Sequence, residues 1–327
     1  MIKLVYIKDG KQTDITAVTG NYSRSDNINS LGMSFNFEQV SNPLDEQLKV
    51  EAPELGGKVI LSHKGSTVFT GIITGYNRNS LNRYSYQCYD FAFYLNKSEV
   101  LIQFNNVTVS AALERLCREN NIPIGEITNI STVVNKIYNG DTVSDVIRDL
   151  LKLATDETGT KYRLEVRGNK LYIQRYEDLV LEAYYKPARN VGGFNPADHV
   201  GGFSSSYSIE NMSNKVIVTS GGEKYAQVVA EAEDAGSMKV YGTLSKVEKV
   251  DGKTMSQAGQ IAKTKLKELN KVTRSFSVTL YGDDAVRSGR MLVFDQAEIN
   301  LKGAFLVKSC SHKYTGTAHY MDLELEV

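Results

Sequence analysis

At 327 residues the chain has room for two or three domains, each with a core of its own. Its 38 lysines and arginines balance 38 aspartates and glutamates, so it lacks the electrostatic footprint of a general nucleic-acid or anionic-membrane binder. The apolar fraction is 41%, but no run approaches the ~20 residues of a spanning helix, and the first eight residues are too short for a secretory signal; the expectation is a soluble chain made in a cytoplasm, without membrane insertion.

The first hundred residues read as short strands between turn signals, the pattern of a small sandwich or barrel. Strands are expected over residues 2–7, 34–40, 58–63, 67–76 and 84–89, with a loop over 47–57. After Ser98 the period changes. Val109, Ala112, Leu113, Leu116 and Cys117 share one helical face behind Thr108 as N-cap, and the segment stops before Pro123. Val143, Val146, Ile147, Leu150, Leu151 and Ala154 repeat that spacing behind Thr142 and end near Gly159. The two openings are offset by 34 residues, yet two copies around a β-branched stretch do not make a helical solenoid. Residues 162–166 and 170–176 form a hairpin across Gly168 and Asn169, which completes a small α+β unit.

Residues 187–206, with Gly192, Gly193, Gly201, Gly202 and three consecutive serines, read as a long linker. Sheet resumes at 214–219, ending at Gly221 and Gly222. Thr254 and Gln257 make a capping box for a helix running to about Leu269. Phe276, Val278 and Leu280 then alternate with polar residues, 291–294 is a short apolar strand, and 305–312 pairs with 319–327 around Gly316. In that last strand Met321, Leu323, Leu325 and Val327 face the core.

Few residues nominate chemistry. Cys88, Cys117 and Cys310 are odd in number and lack CxxC spacing, so they read as reduced core thiols. Tyr281, Gly282, Asp283 and Asp284 spell the YGDD of a polymerase hairpin, where adjacent aspartates hold metal ions. The chain is too short and too neutral for a template channel, and the tetrad reads as a polar turn closing the Phe276 strand. Cys310, His312 and His319 have zinc-binding chemistry, but without a fourth ligand nearby they read as a buried thiol beside two strand histidines. His63, beside the Lys64–Gly65 turn, and His199, in the glycine-rich stretch, read as exposed. Tyr84, Tyr86 and Tyr89 resemble a base-stacking platform, which zero net charge argues against. Asp141 and Glu165 are carboxylates with no spacing that pairs them as in a glycosidase. There is no GxSxG elbow and no phosphate loop. No catalytic, cofactor-binding or metal residue is assigned, and no cofactor is expected.

Three stretches carry a resemblance: Tyr89-Asp90-Phe91-Ala92-Phe93-Tyr94-Leu95-Asn96-Lys97-Ser98, then Asn211-Met212-Ser213-Asn214-Lys215-Val216, then Gly303-Ala304-Phe305-Leu306-Val307 followed by His312 and Met321. In this order, over essentially the whole chain, they resemble the XkdQ/YqbQ type of phage tail protein found in PBSX-like prophages. The resemblance implies a mainly β, α+β fold in which two β-barrel tube-like domains flank a small α+β domain. Its boundaries would be 1–98 for the first barrel, 99–176 for the α+β insert and 212–327 for the second barrel with one helix, residues 177–211 being candidates to complete the first barrel.

The implied function is a non-enzymatic baseplate hub of a phage-like contractile tail that adapts a hexameric tail tube to a trimeric spike. The implied partners are two further copies in a homotrimer, the tail tube protein, the spike protein and other baseplate proteins, with DNA only as passing cargo. The implied location is the tail of a virion or phage-like particle assembled in the host cytoplasm. The alternative is a cell-wall-binding or peptidoglycan-degrading tail-associated protein. Because the sequence ends with its second strand-rich region and no lytic domain follows, hydrolysis is not expected.

Overall fold

The computed structural model describes residues 2–41, 52–80, 82–181, 202–221, 225–250, 255–296, 301–316 and 318–326. The N-terminal region consists of β1 (Ile2–Lys8), β2 (Lys11–Asp14), β3 (Thr19–Asn27), β4 (Ser34–Val40), β5 (Lys58–His63), β6 (Ser66–Ser80) and β7 (Arg83–Asp90). The β1–β2 and β5–β6 hairpins turn on Asp9–Gly10 and Lys64–Gly65, all four at positive φ, which is the backbone of a type I′ turn. Alternate residues of these strands, among them Leu4, Phe35, Phe37, Val59, Leu61, Phe69 and Tyr86, build one apolar core, where Phe37 stacks on Tyr86 at 4.7 Å. The five expected strands are present. β3 was not expected, because its inward positions hold Tyr22, Arg24 and Asp26 in place of aliphatic residues.

The next elements are α1 (Ala92–Leu95), β8 (Glu99–Thr108), α2 (Val109–Glu119), β9 (Ile124–Ile127), β10 (Val133–Thr142), α3 (Val143–Thr158), β11 (Tyr162–Arg167) and β12 (Lys170–Arg175). Thr108 caps α2 by accepting from the Ala111 N–H, and Thr142 caps α3 by accepting from the Asp145 N–H, each worth ~1 kcal/mol. The expected apolar faces are buried in full. The 34-residue offset is explained by a strand–helix unit used twice. β8 runs straight into α2 and β10 into α3, and the two strands pair antiparallel with Glu99 opposite Thr142 and Thr108 opposite Val133. Helices and strands of this segment share a second core, which also takes in Leu31, Ala92 and Leu95.

The remaining elements are β13 (Val180–Leu181), β14 (Gly202–Ser208), β15 (Lys215–Ser220), β16 (Gln227–Glu233), α4 (Ala235–Tyr241), β17 (Ser245–Lys249), α5 (Met255–Leu269), β18 (Thr273–Tyr281), β19 (Met291–Gln296), β20 (Leu301–Thr315) and β21 (Ala318–Glu326). One helix was expected here; the described residues hold two. α4 is too short to show a helical period, although Asp234 caps it by accepting from Gly236 and Ser237. α5 packs on the three-stranded sheet β16-β15-β17 to form a further small unit around Val216, Val218, Ala258, Ile261 and Ala262. Thr254 of the expected capping box, Gly222, Val327, residues 47–51 of the expected loop, and most of the linker, including Gly192, Gly193, Gly201 and His199, lie outside the described residues.

The two strand-rich regions were expected to close into separate barrels. Among the described residues the sheets are not closed; thirteen strands form one sheet with the path β14-β18-β21-β20-β3-β4-β7-β6-β5-β1-β2, while β19 pairs with β20 and β13 with β19. The reason lies in β20. At 15 residues it outruns its first partner β19 and pairs with β3 through Ser309–Tyr314, after an irregularity between Val307 and Ser309. The described parts of 177–211 pair with C-terminal strands, β13 with β19 and β14 with β18, and not with the N-terminal region. Among the described residues no helix is long and apolar enough to cross a membrane.

Candidate functional site at the seam

Where β3 meets β20, three cross-strand pairs face inward: Asp26 opposite Cys310, Arg24 opposite His312, and Tyr22 opposite Tyr314. All six side chains are buried. Strand alternation therefore delivers a polar stripe to a place where a sheet normally buries aliphatic residues. The loop 282–290, which follows β18, lies over this stripe and supplies its partners.

Arg24, 2% exposed, donates from Nη1 to the Val68 carbonyl at 3.1 Å and from Nη2 to the carbonyl and Oδ1 of Asp284 at 3.1 and 3.2 Å. The Tyr314 hydroxyl donates to the same Oδ1 at 2.6 Å. Oδ2 accepts from Nδ1 of His63, the last residue of β5, at 2.6 Å. Burial alone would raise the Asp284 carboxyl, but the Tyr314 and His63 hydrogen bonds and the Arg24 charge outweigh it and hold it below the usual carboxylate range.

A histidine relay runs alongside. Burial, helped by the Arg24 charge, pushes His312 down to about 3, and burial pushes His319 down to about 4, so both rings are neutral at pH 7. His312 Nε2 lies 2.9 Å from the Val286 carbonyl, which can only accept, so Nε2 carries the proton. His312 Nδ1 is then a bare lone pair that accepts from His319 Nε2–H at 2.8 Å. That leaves His319 Nδ1 as a second bare lone pair, buried and without a hydrogen-bond partner among the described residues. The His319 ring stacks on Tyr314 at 4.2 Å and lies where a Cβ on Gly282 would be 2.1 Å from it, so residue 282 must be glycine for the ring to fit. The Cys310 thiol, 3.0 Å from His312 Nε2, is pushed well above its usual range by burial.

The same loop also grips the α+β segment. Asp26 Oδ2 accepts from the Ser288 N–H and hydroxyl, whose oxygen in turn accepts from Arg163 of β11 at 2.7 Å. Arg290 forms a buried pair with Glu165 at 2.8 Å, with Arg167 on the same carboxylate at 3.0 Å. Burial would raise Glu165, but Arg287, Arg290 and Arg167 hold it low.

A family model, YQBQ-like, matches residues 2–326. The chain belongs to the YqbQ-like family. Curated relatives are the Bacillus subtilis uncharacterized protein YqbQ, 26% identical over 83% of this chain and 81% of that protein, and the phage-like element PBSX protein XkdQ of the same organism, 24% identical over 83% and 81%. Among solved structures, the fold is similar to the prophage MuSo2 43 kDa tail protein of Shewanella oneidensis, with TM-score 0.73, 14% identity and coverage of 99% of this chain and 98% of that one. It is also similar to an Escherichia coli type VI secretion system component described as resembling T4 tail proteins gp27 and gp5, with TM-score 0.55, 14% identity and coverage of 94% and 73%.

In this YqbQ-like chain the residues weighed from sequence fare differently. Cys310, His312 and His319 are brought together as a buried thiol and two histidines. Asp284 does sit in a turn, but its carboxylate is the hub of the seam and not a solvated cap. His63, expected to be exposed, is buried, because β5 directs it inward against Asp284 and Tyr314. Tyr86 is a core residue, while Tyr89 lies on the opposite strand face beside Phe93, so the three tyrosines form no common platform. Asp141 accepts from the Asn139 N–H, whereas Glu165 is held by arginines. The three cysteines are buried and free. Arg24, Asp26, Ser288 and Arg290 were missed. The available signal was the period-2 run Tyr22, Arg24, Asp26, polar where a strand should be apolar.

Proposed function

We propose that the chain is a non-enzymatic structural subunit of a phage-like contractile tail, a baseplate hub that adapts a hexameric tail tube to a trimeric spike. The observation that carries this reading is the near full-length likeness of its fold to a prophage tail protein, supported by family membership alongside the PBSX protein. The architecture suits the task. Two strand-rich regions, each accompanied by a small helix-bearing sheet, lie in one chain and are locked at a polar seam, so three copies would offer six strand-rich faces on a threefold axis. Each region would act as one barrel-like unit of the hub, completed by neighbours in the ring.

The edges give the association a route. Among the described residues β14 and β2 end the long sheet path, and Phe203 and Tyr207 of β14 are exposed, so β14 would pair with an adjacent subunit and extend the sheet across the interface. The partners on this reading are two more copies of the chain, tube and spike proteins and other baseplate proteins, and the location is the tail of the particle. The balanced charge suits a channel that lets DNA pass without adsorbing it. Light scattering of the purified chain, alone and mixed with the tube and spike proteins of the same particle, tests the proposal. A trimer, or a complex holding three copies, is expected; a monomer that binds neither protein contradicts it.

A further inference from the structure

His63, Asp284 and His319 bring one ligand atom each to within 4.8 Å of one another. They come from β5, the 282–290 loop and β21, so the cluster spans both strand-rich regions. The relay from the Val286 carbonyl through His312 fixes the His319 tautomer with Nε2 protonated and Nδ1 bare. The His319 side chain is 8% exposed, and this lone pair has no partner among the described residues. Nε2 of His319 lies 3.9 Å from Asp284 Oδ1, and its hydrogen bond to His312 fixes the ring beside His63, which leaves Nδ1 as the nitrogen free to take a ligand. The carboxylate is positioned in the same way, its Oδ1 held by Arg24 and Tyr314 while Oδ2 faces His63.

We propose that His63, Asp284 and His319 form a site for a divalent transition-metal ion, with Zn²⁺ best matched to two imidazole nitrogens and one carboxylate oxygen. Mg²⁺ and Ca²⁺ prefer all-oxygen shells and are poor fits. Three protein ligands leave a coordination position for water, and Asp284, whose side chain is 24% exposed, gives access to solvent. The ion replaces the His63 Nδ1–H···Oδ2 hydrogen bond, the proton passing to Nε2 through solvent. Arg24 stays on Oδ1 as the group that aims the carboxylate. The role is a clip that ties β5 to the C-terminal hairpin, and it depends only on these donor atoms, not on the hub reading.

The test uses the full chain stripped with a chelator and dialysed. Titration with Zn²⁺ should show a single equivalent bound, and Co²⁺ should give visible absorption bands of a nitrogen- and oxygen-ligated ion. At a Zn²⁺ excess of ~100 Kd the thermal midpoint should rise by about 5 °C. His63→Ala and His319→Ala should abolish binding, and Cys310→Ala should leave it intact. If a variant fails to fold, imidazole NMR of the wild type decides, with Zn²⁺ expected to shift the His63 and His319 rings. Absence of binding, binding retained by folded His63→Ala, an equal response to Ca²⁺, or unshifted rings would overturn the proposal.

Discussion

Arg24 shows how one side chain can set a boundary between structural units. It lies in the polar run Ser23-Arg24-Ser25-Asp26-Asn27, where nothing alternates between apolar and polar, so no strand is expected there from sequence, yet β20 pairs with it. Once buried, the guanidinium must be neutralised and hydrogen-bonded, and Asp284 and Val68 do both. Such a pair adds little net stability compared with an apolar replacement of equal volume, but it specifies which strands meet. Removing one partner is costly. Arg24→Ala should destabilise the chain by about 3–5 kcal/mol in urea unfolding. The same change in an Asp284→Asn background should cost less, with a coupling of ~1–3 kcal/mol. Strictly additive effects would show that the pair does not hold the seam.

At the level of elements, legibility followed apolar periodicity. α2 and α3 could be read because caps and a 3.6-residue stripe coincide, and the β20–β21 hairpin because Met321, Leu323 and Leu325 alternate with acidic residues. β3, β8 and β10 escaped because their buried faces are polar or sparse, and α4 because seven residues hold no period. The seam itself was illegible because its partners lie far apart in sequence, and only pairing of β3 with β20 brings Asp284 to Arg24 and His63. The β20–β21 hairpin also carries a pH prediction. His312 and His319 titrate below their unfolded value of about 6.5. The native state therefore binds fewer protons than the unfolded chain as pH falls through about 6.5 to about 4, and the stability present above that window is lost within it. Arg24, Lys64 and His63 reinforce the depression, and Asp284 opposes it. Asp90, pushed up to about 6 by burial, acts in the opposite sense over part of the same range. The midpoint of thermal unfolding should fall on acidification from pH 7 to pH 4, and His312→Asn should flatten that slope. Parallel curves for the two proteins would contradict the assignment.

Across the whole molecule, the 282–290 loop and the β3–β20 ladder join the two strand-rich regions to each other and to the α+β segment. The helix-bearing units also meet: α3 and α5 approach through Asp156–Lys265 at 3.3 Å, and Lys161, between α3 and β11, reaches Glu268 of α5 at 2.8 Å. Such cross-links favour motion as one body, which suits the proposed role between a tube and a spike. The most direct measurement is a cryo-electron-microscopy reconstruction of the intact particle. It should place three copies of this chain in a ring where the tube meets the spike, each contributing both strand-rich regions to the tube-facing side. Particles that assemble complete without the chain, or that carry it away from the tube axis, would contradict the account.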